Sequence, residues 1–317
     1  MTSGIAAHFS GGVAGPEFVR LPDPATMFAR RAERFAALAD DSPLGPYLRF
    51  LAGIAEAQDA VGRTLPATRP VLPLLEQRLG HGMPALAKTD LALDDSFVQV
   101  LDGLLQDTLV AAAPDAARHA LASLRATPQA GRIALAEDVF EGVYPVDRLG
   151  EALFVAAAVQ VHLARCAASL QPDRIKPVGD GVCPVCGSAP AVSLVVGWAK
   201  ADRARYCCCG LCGTLWNYVR IKCVSCGSTE KIGYLQIEGQ DDIVAETCGV
   251  CRGYIKHLHQ HRNNRLDPIA DDVASYGLDL LVHTEGFKPV GINPLMITTP
   301  GPETVLQQNP PKGEVTA

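Results

Sequence analysis

Four Cys-x-x-Cys pairs stand in one stretch of this chain: Cys183/Cys186, Cys209/Cys212, Cys223/Cys226 and Cys248/Cys251. Ten of the 11 cysteines fall between Cys183 and Cys251, and only Cys166 precedes them. The pairs are themselves paired. Twenty-two residues separate Cys186 from Cys209 and 21 separate Cys226 from Cys248, while Cys183 leads Cys223 by 40 positions and Cys209 leads Cys248 by 39. The flanking words recur as well, CPVCGSAP with CVSCGSTE and CGLCGTLW with CGVCRGYI. This is a tandem duplication of one four-thiolate module.

The spacing has a physical cause. Two cysteines three positions apart on a tight turn aim both sulfurs at one ion, and a following residue without Cβ relieves the turn, as Gly187, Gly213 and Gly227 can. Two such knuckles complete a tetrahedral four-sulfur site, so the sequence predicts two ions per chain, each iron or zinc. In the run Cys207-Cys208-Cys209 only Cys209 keeps the spacing to Cys212 and the register of Cys248/Cys251, which makes it the candidate ligand. Strands are expected at Val192–Val196, Arg205–Cys208, Ile232–Ile237 and Ile243–Glu246. Alternation along the second of these sends Cys207 and Cys208 to opposite faces, one to core and one left as a thiol of open role. With every metal position filled by protein sulfur, no site remains for water or substrate, which argues against hydrolytic zinc chemistry. The modules read as rubredoxin-like or zinc-ribbon units set back to back.

The preceding residues are of another kind. Residues 1–170 carry 14 Lys/Arg against 19 Asp/Glu, net -5, whereas 183–262 carry 9 against 6, net +3, and 263–317 return to 3 against 7, net -4. Apolar periodicity and alanine content predict helices from Met27 to Leu38, from Asp41-Ser42-Pro43 through Ala55, and near 70–79, 94–110, 115–125, 128–141 and 148–170. The fold class is therefore α+β multidomain: an all-helical N-terminal domain (1–175), a first metal module (176–219), a second (220–265), and a C-terminal helix near 268–283 with an extended tail (266–317). Residues 171–182 read as a linker, and the Pro-rich tail from 298 as loosely held. The longest apolar run, Ala152–Val159, is too short to span a bilayer, and no secretory signal opens the chain. Cys166 is expected to be a plain buried cysteine.

Taken together the residues resemble the formate dehydrogenase accessory family, the FdhE-type assembly factors. The resemblance is carried by CPVCGSAP, by RYCCCGLCGTLWNYVRIKCVSCGSTEKIGY, by IEGQDDIVAETCGVCRGYIKHL and by DPIADDVASYGLDLLVHTEGFKPVGINPLM. It covers about 180–298 closely and the helical part by size and position. It implies a cytoplasmic, non-enzymatic chaperone that associates with the catalytic subunit of a respiratory molybdenum or tungsten formate dehydrogenase before export, without membrane insertion; a homodimer is compatible with it. The eight cysteines of the pairs take the family's metal-binding positions. Cys207 and Cys208 depart from its pattern.

Other features bear on a second function. A rubredoxin-like redox or thiol-transfer role is the alternative to assembly. Nucleic-acid binding is disfavoured by a net charge of -6 and by Trp216, Tyr218 and Tyr254, whose repeated placement after the knuckles reads as module core. His257, His259 and His261 are expected to be solvent-facing or hydrogen-bonded, with an accessory metal as the other reading. Asp267-Pro268-Ile269-Ala270-Asp271-Asp272 reads as helix-start chemistry, or else Asp271, Asp272 and Asp279 face a partner.

Overall fold

In the computed structural model, residues 15–65, 72–87, 89–90, 95–106 and 113–296 are described. The tail expected to be loosely held from 298 lies outside them. Among the described residues the first half contains the helices α1 (Met27–Ala39), α2 (Gly45–Thr64), α3 (Leu75–Gly80), α4 (Asp95–Leu104), α5 (Asp115–Ala126), α6 (Gln129–Phe140) and α7 (Leu149–Ala168). In α1 the buried residues Phe28, Ala32, Phe35 and Ala39 fall on one stripe, as a 3.6-residue period requires. By contrast, α7 is buried without a break from Ala152 to Ala164, which is the pattern of a central helix. Against it pack α2, α4, α5 and α6. With its preceding turn it is long and apolar enough to cross a membrane by composition, although no single apolar run suggested so, and its apolar surface is spent on these neighbours.

The second half is one sheet. Its strands are β1 (Val19–Arg20), β2 (Pro190–Trp198), β3 (Ala201–Cys209), β4 (Leu215–Tyr218), β5 (Ile232–Leu235), β6 (Ile243–Cys248), β7 (Gly253–Leu258) and β8 (Lys288–Pro289). The order is β1-β4-β3-β2-β7-β6-β5, with β8 also paired to β7. Each copy of the duplicated module supplies an antiparallel trio, β2-β3-β4 and β5-β6-β7. The copies are joined edge to edge rather than back to back: β2 runs parallel to β7, Val192 opposite Lys256 and Leu194 opposite Leu258. Residues before the first helix take part too, since β1 pairs with β4 and Tyr206 OH donates to Glu17 O at 2.7 Å.

The expected C-terminal helix is two, α8 (Ala270–Ala274) and α9 (Tyr276–Thr284), parted at Ser275. The Lys256 ammonium and the Ser275 hydroxyl both donate to Asp272 O, the carbonyl a continuous helix would use four residues on. Helices and sheet share one hydrophobic cluster that includes Phe28, Phe154, Cys183, Trp216 and Ile269. Polar ties cross the same boundary. Gln160 Nε2 donates to Gly210 O at 2.7 Å, Tyr47 OH to Leu295 O at 2.7 Å, and Leu86 N to Val185 O at 2.7 Å. The segment expected to be a linker is itself pinned: Ile175 is buried, and Asp180 accepts from Tyr218 OH at 2.7 Å and Lys222 Nζ at 2.9 Å.

Candidate metal centres

One local turn occurs four times. The amide of Gly187 donates to Cys183 O, that of Gly213 to Cys209 O, that of Gly227 to Cys223 O, and that of Arg252 to Cys248 O. The donors sit at φ of +83°, +73°, +71° and +60°. Three are glycines, for which this region is free. The fourth is Arg252, which holds the left-handed conformation against its Cβ and is fixed by its guanidinium over the Phe287 ring at 3.9 Å and by Nε donating to Gly286 O at 3.2 Å.

These turns bring the eight predicted cysteines into two quartets, Cys183/Cys186/Cys209/Cys212 and Cys223/Cys226/Cys248/Cys251. Within each, all four sulfurs lie within 4.8 Å of one another, so each could hold a metal ion. Among the described residues no other group of three or more His, Cys, Asp or Glu side chains does so. The Cys183–Cys212 and Cys223–Cys251 separations are 3.6 Å, that of Cys186–Cys209 is 3.3 Å and that of Cys226–Cys248 is 3.7 Å. No pair is a disulfide. The spacings approach the edge, about 3.8 Å, of a tetrahedron whose corners lie 2.3 Å from its centre, the zinc–sulfur bond length.

Electrostatics fits the same reading. Burial pushes the Cys183 and Cys212 thiols well up, while Cys186, hydrogen-bonded by Cys183, Cys209 and Cys212, is held well below the usual range. In the second quartet burial raises Cys223 to about 12; burial also opposes ionisation of Cys248, but the amides of Cys251 and Val250 together with the Cys226 and Cys251 thiols outweigh it and lower that group. Thiols packed together in this way cannot all ionise on their own, whereas a divalent cation would stabilise four thiolates at once. The donor set therefore fits a thiophilic ion such as zinc or iron.

The two quartets differ in exposure. All four cysteines of the first are buried, behind the backbone pairing of Leu86 with Val185. In the second, Cys226 and Cys251 are exposed. The first also has hydroxyls in place, Thr214 Oγ1 at 3.1 Å from Cys212 Sγ and Ser188 Oγ at 3.4 Å from Cys186 Sγ. Sequence reasoning missed these two. Their signal was present in the recurrence of Cys-Gly-Ser/Thr after each of the first three pairs.

The remaining candidates have structural partners. Cys207 and Cys208 do face opposite ways: Cys207 lies 3.7 Å from Ser193 Oγ, and Cys208 packs with Leu194 and Tyr206. Burial raises Cys207 to about 11 and Cys208 well above its ordinary value, so both are core thiols rather than nucleophiles. Cys166 is buried beside His162. His257 is not solvent-facing but buried, 3.6 Å from Glu246; His261 Nδ1 lies 3.3 Å from Val195 O and its ring 5.2 Å from that of His259. Asp267 does act at a helix start, accepting from the amides of Ile269 and Ala270. Asp271, Asp272 and Asp279 do not face a partner. They are buried, Asp271 on Arg34 Nη2 at 2.6 Å, Asp272 and Asp279 on Lys256 Nζ at 2.8 and 2.6 Å. Trp216 and Tyr254 lie in the core as expected, and Tyr218 is half-buried.

Comparison with known proteins places this architecture. Three family models match in chain order: "FdhE, N-terminal" over residues 16–180, "FdhE, central domain" over 182–220 and "FdhE, C-terminal domain" over 221–296. A protein FdhE homolog of Rhizobium meliloti is 40% identical over 291 residues, covering 90% of this chain and 95% of the relative. One from Stutzerimonas stutzeri is 35% identical, covering 91% and 94%. The crystal structure of the FdhE protein from Pseudomonas aeruginosa superimposes with a TM-score of 0.78 at 32% identity, over 88% of this chain and 98% of that one.

Proposed function

Since the chain belongs to the FdhE family of formate dehydrogenase accessory proteins, we propose that it binds the immature catalytic subunit of a respiratory molybdenum or tungsten formate dehydrogenase in the cytoplasm, before export, and catalyses no reaction itself. The observation that carries this reading is the pair of four-thiolate quartets. With Cys183, Cys186, Cys209 and Cys212 on one ion and Cys223, Cys226, Cys248 and Cys251 on another, neither centre has a position left for substrate. The ions would act as cross-links that give small modules their shape. The working units of this reading are the helical part (1–175), the two modules (176–219 and 220–265) and the C-terminal helix with its extended tail (266–317).

Formate-dependent dye reduction by membranes of a strain lacking the gene tests the proposal. Activity should be lost while the catalytic polypeptide persists, and the two proteins should co-purify. Normal activity in that strain, or formate oxidation by the purified chain, contradicts it. One observation favours a second reading, a rubredoxin-like redox or thiol-transfer role: Cys226 and Cys251 bring the second quartet to the surface. Iron there would supply a one-electron couple open to a partner. A visible spectrum that bleaches reversibly on reduction supports that role, and a colourless protein with stoichiometric zinc excludes it.

A further inference from the structure

A cavity of about 780 Å³ opens between α1 and the sheet, with Cys208 and Gly213, the neighbours of Cys209 and Cys212 in the first quartet, in its lining. One wall is the α1 stripe Met27, Arg30, Arg31 and Arg34, positions i, i+3, i+4 and i+7. The facing wall is apolar and aromatic, with Trp198 and Leu215 from the sheet; Arg20 and Arg265 complete the rim. Five arginines and three carboxylates (Asp23, Glu33 and Asp267) line it; of the arginines, Arg34 is already paired with Asp271 and Arg20 lies 3.9 Å from Glu17.

Arg31 is the informative residue. Only 3% of it is exposed, yet its Nε and Nη1 have no hydrogen-bond partner. Among the described residues its ion-pair partner is Asp267, whose Oδ1 is 3.4 Å from Nε and already accepts from the amides of Ile269 and Ala270. Arg34, three residues on, shows the contrast: Nε and Nη2 both donate to Asp271, at 2.9 and 2.6 Å. A buried guanidinium with two unmet donors is costly, and its fork matches an oxyanion. Nearby, the Arg20 guanidinium lies 3.9 Å over the Trp198 ring, and the exposed Arg265 side chain makes no hydrogen bond or ion pair with the described residues.

We infer that this cavity binds a small organic oxyanion, a phosphate or carboxylate received by Arg31 and carried on a flat or apolar body that lies against Trp198 and Leu215. The volume suits one small molecule, and the mixture of apolar wall and few convergent charges is that of a ligand site. An acidic segment of a protein would also bring carboxylates, but a site enclosed enough to bury Arg31 favours the small molecule.

The test uses the full-length, metal-loaded protein, titrated separately with adenosine monophosphate, benzoate and inorganic phosphate while Trp198 fluorescence is followed. A Trp216→Phe background isolates that signal. Saturable binding of adenosine monophosphate, with inorganic phosphate competing, assigns a phosphate ligand; saturation by benzoate alone assigns a carboxylate; either supports the site. Arg31→Lys should weaken binding at least about tenfold by removing the fork. Arg265→Gln, at an exposed position that cannot impair folding, should weaken it several-fold, and Arg49→Gln, outside the cavity, should change nothing. No saturation by any of the three up to about 10 mM, affinity unaltered in Arg265→Gln, or binding of a glutamate-rich peptide alone would each overturn the inference.

Discussion

Lys256 shows how little a single side chain reveals before it is placed. In the sequence it is one of 28 basic residues; in the fold it is buried, with Asp272, Asp279, Ser275 and a backbone carbonyl around its ammonium. Although burial opposes its charge, the two carboxylates raise its pKa, so its contribution persists through neutral pH and is lost only as pH rises through that raised value. Lys256→Met leaves two buried carboxylates unpaired and should destabilise the protein by about 3–5 kcal/mol in urea unfolding. His259 works in the opposite direction. Burial, with Arg262, His257 and His261 adding repulsion against the opposing pull of Asp242, lowers it to about 4. A histidine with a depressed folded pKa stabilises above its ordinary value of about 6.5 and loses that contribution as pH falls from there toward 4. His259→Gln should therefore flatten part of the decline in urea midpoint between pH 7 and pH 5. Asp271, Asp272 and Asp279 were legible as acids near a helix start but not as buried ones, because Arg34 and Lys256 reach them from distant segments.

At the scale of elements, the cysteine arithmetic carried most of the information. It located both quartets and four of the strands, because a turn that must aim two sulfurs at one point leaves a fixed spacing in the chain. The pairing of β1 with β4 left no such mark. Two residues of strand have no period, and the seam between β2 and β7 is a register between segments about sixty positions apart. The inequality of the two quartets was equally hidden, since their sequences are alike and only the helical layer distinguishes them. It has a measurable consequence. In protein loaded with two ions, a chelator should remove one in a fast phase and the other far more slowly, and alkylation mapped by mass spectrometry should mark Cys226 and Cys251 first. Cys226→Ser should abolish the fast phase alone. Equal release rates, or first labelling at Cys183 or Cys212, would contradict the placement.

For the whole molecule, the arrangement of the strands matters more than their number. The duplicated trios are related head to tail: the first strand of one copy, β2, lies against the third strand of the other, β7. An interface of that kind does not close on itself, and identical units using it can add without limit. Here the series stops at two. On one side β1 occupies the flank of β4 that a further copy's first strand would take; on the other, β5 ends the sheet as a strand of only four residues. The short segment ahead of the helices is thus a terminator. A chain shortened to begin at Leu21 should leave β4 open to the β5 of a neighbour, giving oligomers that lengthen with concentration in light scattering, whereas the full chain should keep a fixed size over the same range.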